Sequence, residues 1–385
     1  MHLLTIATIL GIIAAVDQLY RNWWRSDKTV SKVRPMKTNA ALADGIKQPQ
    51  QVVTTLVSYL KNDQENTGMH YGQFGRGQRQ EEETRYQTAK VSLDTKPRLY
   101  LTGLPVFVLQ RNSERIEARS LLGAAAEGIQ SLLTDGWIHV GMGAHRYTSP
   151  VIPGNSSISY RHTIRAAQIL LAIDHGSPEA KVVLGRMLDE TGQMQTEEGG
   201  WRQCNVDFRD EDLWGSAYAA NFLADCMNNA AVLGLPSDAI TKAQRSLNRT
   251  LSWLHKEWSR DSWVYGEVPP EENVPLLFAE VASAVVSYRP KLANAVLNQL
   301  ESHVDMAGQP TALYLDKNKI VGPCAAAARL AYCFFVSRQF RQGNDVRWRA
   351  LLQYSIPRLS LGYNCAEAAM LLDMILADKT LSAST

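Results

Sequence analysis

The chain has 385 residues, 45% hydrophobic and 20% charged, a composition that excludes wholesale disorder. Forty Lys and Arg against 38 Asp and Glu leave a net charge of +2, too even a balance for a nucleic-acid binder held by phosphate charge. The five cysteines, at 204, 226, 324, 333 and 365, form no C-x-x-C pair, which excludes a disulfide framework and a Cys-rich zinc site and predicts reduced, buried thiols.

Leu3 to Val16 are fourteen residues without charge. A membrane span needs roughly 20 apolar residues, a length reached by running from Met1 to Tyr20. Trp23 and Trp24 stand where an interfacial aromatic belt would be, and Arg21, Arg25, Lys28, Lys32, Arg34 and Lys37 follow against Asp27 alone. Basic residues on the C-terminal flank place that flank in the cytoplasm. Residues 1–24 are therefore expected to be a single anchor helix, N-terminus out, with the body cytoplasmic. The alternative is an apolar helix packed on a partner or within the fold. The sequons Asn155-Ser156-Ser157 and Asn248-Arg249-Thr250 would go unused in a cytoplasmic domain.

Residues 25–48 read as a basic tether. Pro49 opens a short helix to about Lys61, with Val52, Val53, Leu56, Val57 and Leu60 on one face. Residues 62–98 are rich in Gly, Gln and charge and have no apolar period. They read as a long exposed loop or flexible linker, so that 25–98 forms a tether, short helix and linker before a domain at 99–385. Glycines 72, 75 and 77 do not fit a phosphate-cradling G-x-G-x-x-G. Arg98 to Leu109 is apolar and ambiguous between strand and buried segment.

From residue 115 the pattern is helix after helix: 115–133, 161–175, 178–191, 211–233, 237–258, 272–287, 290–304, 320–338, 344–358 and 362–378. The helix at 237–258 carries Ile240, Ala243, Leu247, Leu251, Leu254 and Trp258 on one stripe, with Lys, Arg and Gln between. The segments at 211–233, 320–338 and 362–378 are instead apolar nearly all round, which requires burial on every side. Short links such as His175-Gly176-Ser177 join a dry helix to the next wet one. Longer links returning the other way carry Trp137, Trp201 and Trp263, spaced by 64 and 62 residues. That period suits a helix pair plus a loop. The fold class expected is all-α, an α/α toroid of inner and outer helices in two concentric layers.

Gln195-Thr196-Glu197-Glu198-Gly199-Gly200-Trp201 matches Q-x-x-x-G-x-W and resembles the repeat motif of squalene and oxidosqualene cyclases. In that family the Gln and Trp stack between helix ends and tie neighbouring repeats together. The chain from about 115 to 378 looks like the α/α toroid shared by terpene cyclases and protein prenyltransferase β subunits. Trp137 and Trp263 lack the Gln at the matching offset. The family's chemistry does not carry over. The acidic D-x-D-D of class II cyclases is not matched by Asp207 to Asp212, and Cys204 precedes Asp207, the reverse of the prenyltransferase zinc pair. No metal site is expected.

Long polar loops would gather at one mouth of such a barrel, where inner helices begin. There His162, Asp210 and Asp212 are the candidate catalytic groups, and Arg165, Trp201, Trp263 and Glu272 the candidate ligand-binding groups. Asp210, Glu211 and Asp212, like Glu271 and Glu272, also suit helix N-termini as caps, and the tryptophans suit structural wedges. Glu280, Arg329 and Glu367 lie within apolar helices and must either pair or line a wet cavity. The overall expectation is a membrane-anchored cytoplasmic toroid that binds an anionic or isoprenoid-like ligand, or a protein partner, in or at the mouth. The alternative is an enzyme of the cyclase or prenyltransferase kind, or a glycan-active α/α barrel, acting on a membrane-associated or anionic substrate. No cofactor follows from the residues.

Overall fold

Among its described residues, the computed structural model forms every element longer than two residues as a helix. It describes residues 49–67, 71–75, 99–134, 147–148, 156–157, 160–202, 213–259, 291–292, 298, 301, 303–305, 307–311, 323–338, 343–356 and 365–378. These fall within one compact unit, Ala41–Leu359 with Tyr363–Thr385. The helices are α1 (Pro49–Asp63), α2 (Leu99–Arg111), α3 (Arg119–Thr134), α4 (Tyr160–Ile173), α5 (Pro178–Asp189), the one-turn α6 (Thr191–Met194), α7 (Leu213–Asn228), α8 (Ser237–Ser259), α9 (Pro323–Val336), α10 (Asn344–Ser355) and α11 (Cys365–Ala377). One two-residue antiparallel ladder pairs Tyr147–Thr148 with Ser156–Ser157. The chain is all-α. The expected anchor, tether and helix at 272–287 lie outside the described residues. Among those described, no helix is long and apolar enough to cross a membrane.

Local chemistry explains the helix boundaries. Ser177 caps α5 by accepting from the Ala180 N–H at 3.2 Å, with Pro178 in the first turn, where its missing N–H costs nothing. Gly234 ends the turns after α7 in the left-handed region at φ 59°. The ambiguous segment after Arg98 is α2, a helix carrying Pro105 in its interior. An internal proline removes one backbone bond and is costly in isolation. Here burial of Leu99, Val106, Val108 and Leu109 outweighs that local preference.

The helices sort by character as the sequence suggests. α7 and α11 are buried along almost their whole length, and α9 is buried from Ala327 to Phe335. α8 buries Ala243, Leu247, Leu251 and Leu254 and exposes Lys242, Arg245 and Lys256. In space α9 packs on α11, α11 on α2, α2 on α4 and α4 on α7. α9 and α11 run in the same direction, since Arg329 reaches Glu367 and Tyr332 reaches Asp373; the end of α2 joins them through Arg111 and Asp373, and Arg165 of α4 lies against Phe107 of α2 and Tyr218 of α7. The intervening helices back this row. α3 lies on α2 and α4, α5 on α4 and α8, α8 on α7, α10 on α9, and α1 on α11.

One expectation is corrected here. Within the expected exposed linker, residues 63–65 and 72–75 are buried. Asp63, Gln64, Glu65, Gln73 and Phe74 are all buried, and α1 belongs to the core through Val52, Val53, Leu56 and Leu60. A domain boundary at residue 98 would cut through this packing. Asp63 and Gln64 are polar yet buried because they make buried hydrogen bonds to backbone groups.

Candidate functional site

The Q-x-x-x-G-x-W segment is a tight turn between α6 and α7, closed by a bridge between Gln195 and Trp201. Its polar groups grip α8. Gln195 Nε2 donates to Ser246 O at 3.1 Å, Thr250 Oγ1 at 2.9 Å and Gly199 O at 2.9 Å, and Ser246 Oγ returns a bond to Gln195 Oε1 at 2.8 Å. Trp201, fully buried, donates Nε1–H to Thr250 Oγ1 at 2.9 Å and its backbone N–H to Ser216 Oγ on α7 at 2.8 Å. Gly199 sits at φ 110°, and a Cβ there would collide with the Arg249 carbonyl of α8, so both backbone conformation and space demand glycine.

Two further turns repeat this arrangement without its sequence. After α1, Gln64 Nε2 donates to Gly72 O at 2.9 Å and to Leu121 O of α3 at 2.8 Å, and the Phe74 N–H reaches Thr102 Oγ1 of α2 at 3.1 Å. Gly72, at φ 76°, lies against the Ala124 carbonyl as Gly199 lies against that of Arg249. Glu65 N–H to Gln73 O matches Thr196 N–H to Gly200 O, both at 2.8 Å. The third turn bridges Val304 to Pro310 at the same offset as Gln195 to Trp201, with Gly308 packed on Arg347 and Ala350 of α10. Sequence reading missed both. The first has a longer Gln-to-Gly spacing and Phe in place of Trp, and the second keeps only the glycine offset.

Arg165 is 2% exposed. Its Nη1 donates to Gln168 Oε1 at 2.7 Å, and its guanidinium lies 4.8 Å from the Phe107 ring and 4.4 Å from the Tyr218 ring, within cation–π range. Gly103 faces it, where a Cβ would collide with the guanidinium. Arg165 thus joins α2, α4 and α7 and is covered by protein on all sides. Arg329 and Glu367, singled out as charges in apolar helices, pair with each other: Nε donates to Oε1 at 2.6 Å, and Nη2 joins the same carboxylate oxygen. A second buried acid, Asp373, accepts from Arg111 Nη1 at 2.7 Å, Asn112 Nδ2 at 2.9 Å and Tyr332 Oη at 3.3 Å. It ties the C-terminal ends of α2, α9 and α11. Nothing in the sequence pattern marked Asp373, because its partners lie far away along the chain.

A third polar group joins α1 to α11. Asp63 accepts the Gly75 N–H at 2.7 Å and a hydrogen bond from the Cys365 thiol. Burial, then the charges of Asp63 and Glu367, holds that thiol well above its ordinary range. Tyr59 is pushed up by burial first, then by Asp63, Cys365 and Glu367. Tyr332 is raised by burial and by Asp373, with Arg111 opposing. In the unfolded chain such thiols ionise near about 8.5 and phenols near about 10. Groups whose folded pKa is raised stabilise fully below the unfolded value and lose that contribution as pH climbs toward the folded one. Thermal stability is therefore expected to fall from about pH 9 upward, and the fall should be shallower in Tyr332→Phe. Melting temperatures taken from pH 7 to pH 11 check this, and parallel curves for the two proteins would refute it.

Of the predicted site residues, Trp201 and Arg165 are buried in helix junctions. His162 lies on α4, three residues before Arg165, its side chain outside the described set. Asp210, Asp212, Trp263 and Glu272, with Glu280 and Trp137, lie outside the described residues. Cys226, Cys333 and Cys365 are buried thiols outside any disulfide. Among the described residues no group of three or more His, Cys, Asp or Glu is arranged to hold a metal. An open groove of about 630 Å³ follows the outward face of α8, lined by Glu198, Ile240, Gln244, Arg245, Asn248 and Arg249. It borders the Gln195–Trp201 turn, whose Thr196 and Glu197 carbonyls accept from Arg249. No protein-family model matches the chain, and no curated protein matches it.

Proposed function

We propose that this chain is a membrane-anchored α/α toroid, its body in the cytoplasm, which binds an anionic or isoprenoid-like ligand at the mouth of the ring without the chemistry of the terpene cyclases it resembles. In this reading α11, α2, α4, α7 and α9 are inner helices, the remaining inner position falls at 272–287, and α1, α3, α5, α8 and α10 belong to the outer layer. The observation that carries it is the use of charge on the central helices. Arg329 is matched to Glu367 and Arg111 to Asp373. Both acids are buried, Arg329 beside Glu367 within the core and Arg111 reaching Asp373 from an exposed position at the end of α2; buried carboxylates matched to bases serve packing, and a fold alone does not confer a reaction. Parallel central helices bring their N-termini to one end, where partial positive charge favours an anion. His162 near the start of α4 and the segments bearing Asp210, Asp212 and Glu272 would frame that end. The N-terminal apolar run with its basic flank supports the anchor.

The test uses the full-length chain in lipid vesicles. Farnesyl diphosphate, and inorganic diphosphate as its headgroup alone, should raise the melting temperature by a few degrees, and the farnesyl chain should be recovered unchanged. Recovery of a cyclised or transferred isoprenoid would favour the enzyme instead, and no shift with either compound would reject ligand binding of this class. Removing residues 1–24 should release the body from membranes. If the full-length chain fractionates without membranes, the anchor is refuted.

A further inference from the structure

The outward face of α8 carries more positive charge than the helix balances. Lys242, Arg245, Arg249 and Lys256 follow at intervals of three, four and seven residues, which puts them on one stripe of an α-helix. Asp238 is the acid on that stripe, at its N-terminal end, where a carboxylate suits the dipole. Lys242, Arg245 and Lys256 are exposed. Other partly exposed arginines are matched to acids: Arg186 to Glu190, Arg347 to Glu301 and Arg349 to Asp345. Among the described residues, neither Lys242 nor Arg245 makes an ion pair.

The groove of about 630 Å³ runs beside this stripe, with Arg245, Arg249, Gln244, Asn248 and Ile240 on its wall and Glu198 the single acid among its lining residues. Arg249 is held in place by the neighbouring turn, its Nη2 donating to Thr196 O at 2.6 Å and Glu197 O at 3.0 Å. Gln244 Nε2 donates to Asn248 Oδ1 at 3.3 Å. That bond leaves Gln244 Oε1 to accept and Asn248 Nδ2 to donate. A peptide backbone offers a partner for each, and a lipid surface has no N–H and C=O pair in that order. The spacing fits as well. At a rise of about 1.5 Å per residue, Arg245 and Arg249 are about 6 Å apart along the helix, and Ile240 and Arg245 about 7.5 Å. Alternate side chains on one face of an extended strand are about 6.7 Å apart.

We infer that this groove binds an extended acidic segment of a partner protein, with carboxylates at alternate positions on Arg245 and Arg249 and an apolar side chain two positions away on Ile240. Arg245 can take a carboxylate through two parallel N–H···O bonds. Arg249, its Nη2 committed to the turn, supplies its remaining N–H groups and loses little freedom on binding. The groove lies on exposed surface, so the inference stands apart from the ring, the anchor and the ligand proposed above.

Fluorescence anisotropy on the full-length chain in phosphatidylcholine vesicles tests this, with fluorescein-labelled peptides centred on Leu-Ser-Glu-Ser-Glu and on its reverse. One of the two should bind, and its analogue with Gln for both Glu should bind about tenfold more weakly. Arg245→Gln should weaken binding about fivefold. Lys256→Gln, on the stripe but outside the groove, should weaken it by less than about twofold. Both substitutions are at exposed positions, so circular dichroism should be unchanged. No binding of either peptide would overturn the inference. So would equal losses in the two variants, which would mean diffuse attraction to a charged stripe. Adhesion to phosphatidylserine vesicles that falls in Arg245→Gln, with peptide binding indifferent to it, would make a lipid surface the partner and overturn it too.

Discussion

Trp201→Ala is expected to lower the free energy of unfolding by about 3–5 kcal/mol, the range for emptying a buried aromatic site. The side chain is fully buried, and its loss also deprives Thr250 Oγ1 of the indole donor. Trp201→Phe should cost much less, about 1 kcal/mol for the missing hydrogen bond. The chain contains its own control: Phe74 occupies the equivalent position in the turn that grips α3, with its backbone N–H bonded as that of Trp201 is. Gln195→Ala should fall between the two, since three acceptors share its amide nitrogen. Denaturant unfolding of the full-length chain, followed by tryptophan fluorescence and by circular dichroism, checks the order Trp201→Ala, Gln195→Ala, Trp201→Phe. If Trp201→Ala instead leaves stability within about 1 kcal/mol of wild type and abolishes ligand binding, Trp201 is a ligand platform and not a tie.

The second large effect concerns Arg329 and Glu367. Removing one member of a buried ion pair strands the other charge, and Arg329→Met or Glu367→Leu alone should each cost about 3–5 kcal/mol. The double substitution Arg329→Met with Glu367→Leu should recover most of that loss, because a packed apolar pair is about as stable as a buried ionic one. Glu367 is 1% exposed and Arg329 8%, so neither has water to fall back on. A double-mutant cycle with a coupling near zero would show that the two do not act as a pair. The same cycle bears on function. If the double variant is stable and still binds ligand, the charges serve packing, as the proposed binding role requires. If it is stable but inert, the pair belongs to the working site.

Much of the architecture is legible in local pattern. The period of Ala243, Leu247, Leu251 and Leu254 marks α8 as a one-faced helix, and the unbroken apolar runs at α7 and α11 mark them as central. Ser177 and Pro178 announce a helix start. These signals are local because they depend on periodicity and on backbone groups within one turn. The Gln195–Trp201 tie is legible too, since all its spacing lies within seven residues. The anchor rests on length and charge alone, with residues 1–48 beyond the described structure.

Other assignments depend on partners distant in the chain. The stretch after α1 has the composition of a solvated loop, yet Gln64, Glu65 and Gln73 are buried because carbonyls of α3 and of the turn itself receive or complete their hydrogen bonds. Composition reports what a side chain can bond to, not where the bond is made. Pro105 and the mixed apolar run of α2 leave strand and helix equally plausible by pattern, and packing on α4 and α11 decides for helix. Arg165, read as a ligand group from its place at a helix start, is enclosed by Phe107, Tyr218 and Gly103, residues whose approach no spacing encodes. The sequence by itself therefore determined most of the helical segments and the burial of α7, α9 and α11, because those properties follow from short-range periodicity. Only the tertiary structure decided which polar groups are matched to one another, because a buried charge is satisfied by whichever helix the fold brings against it.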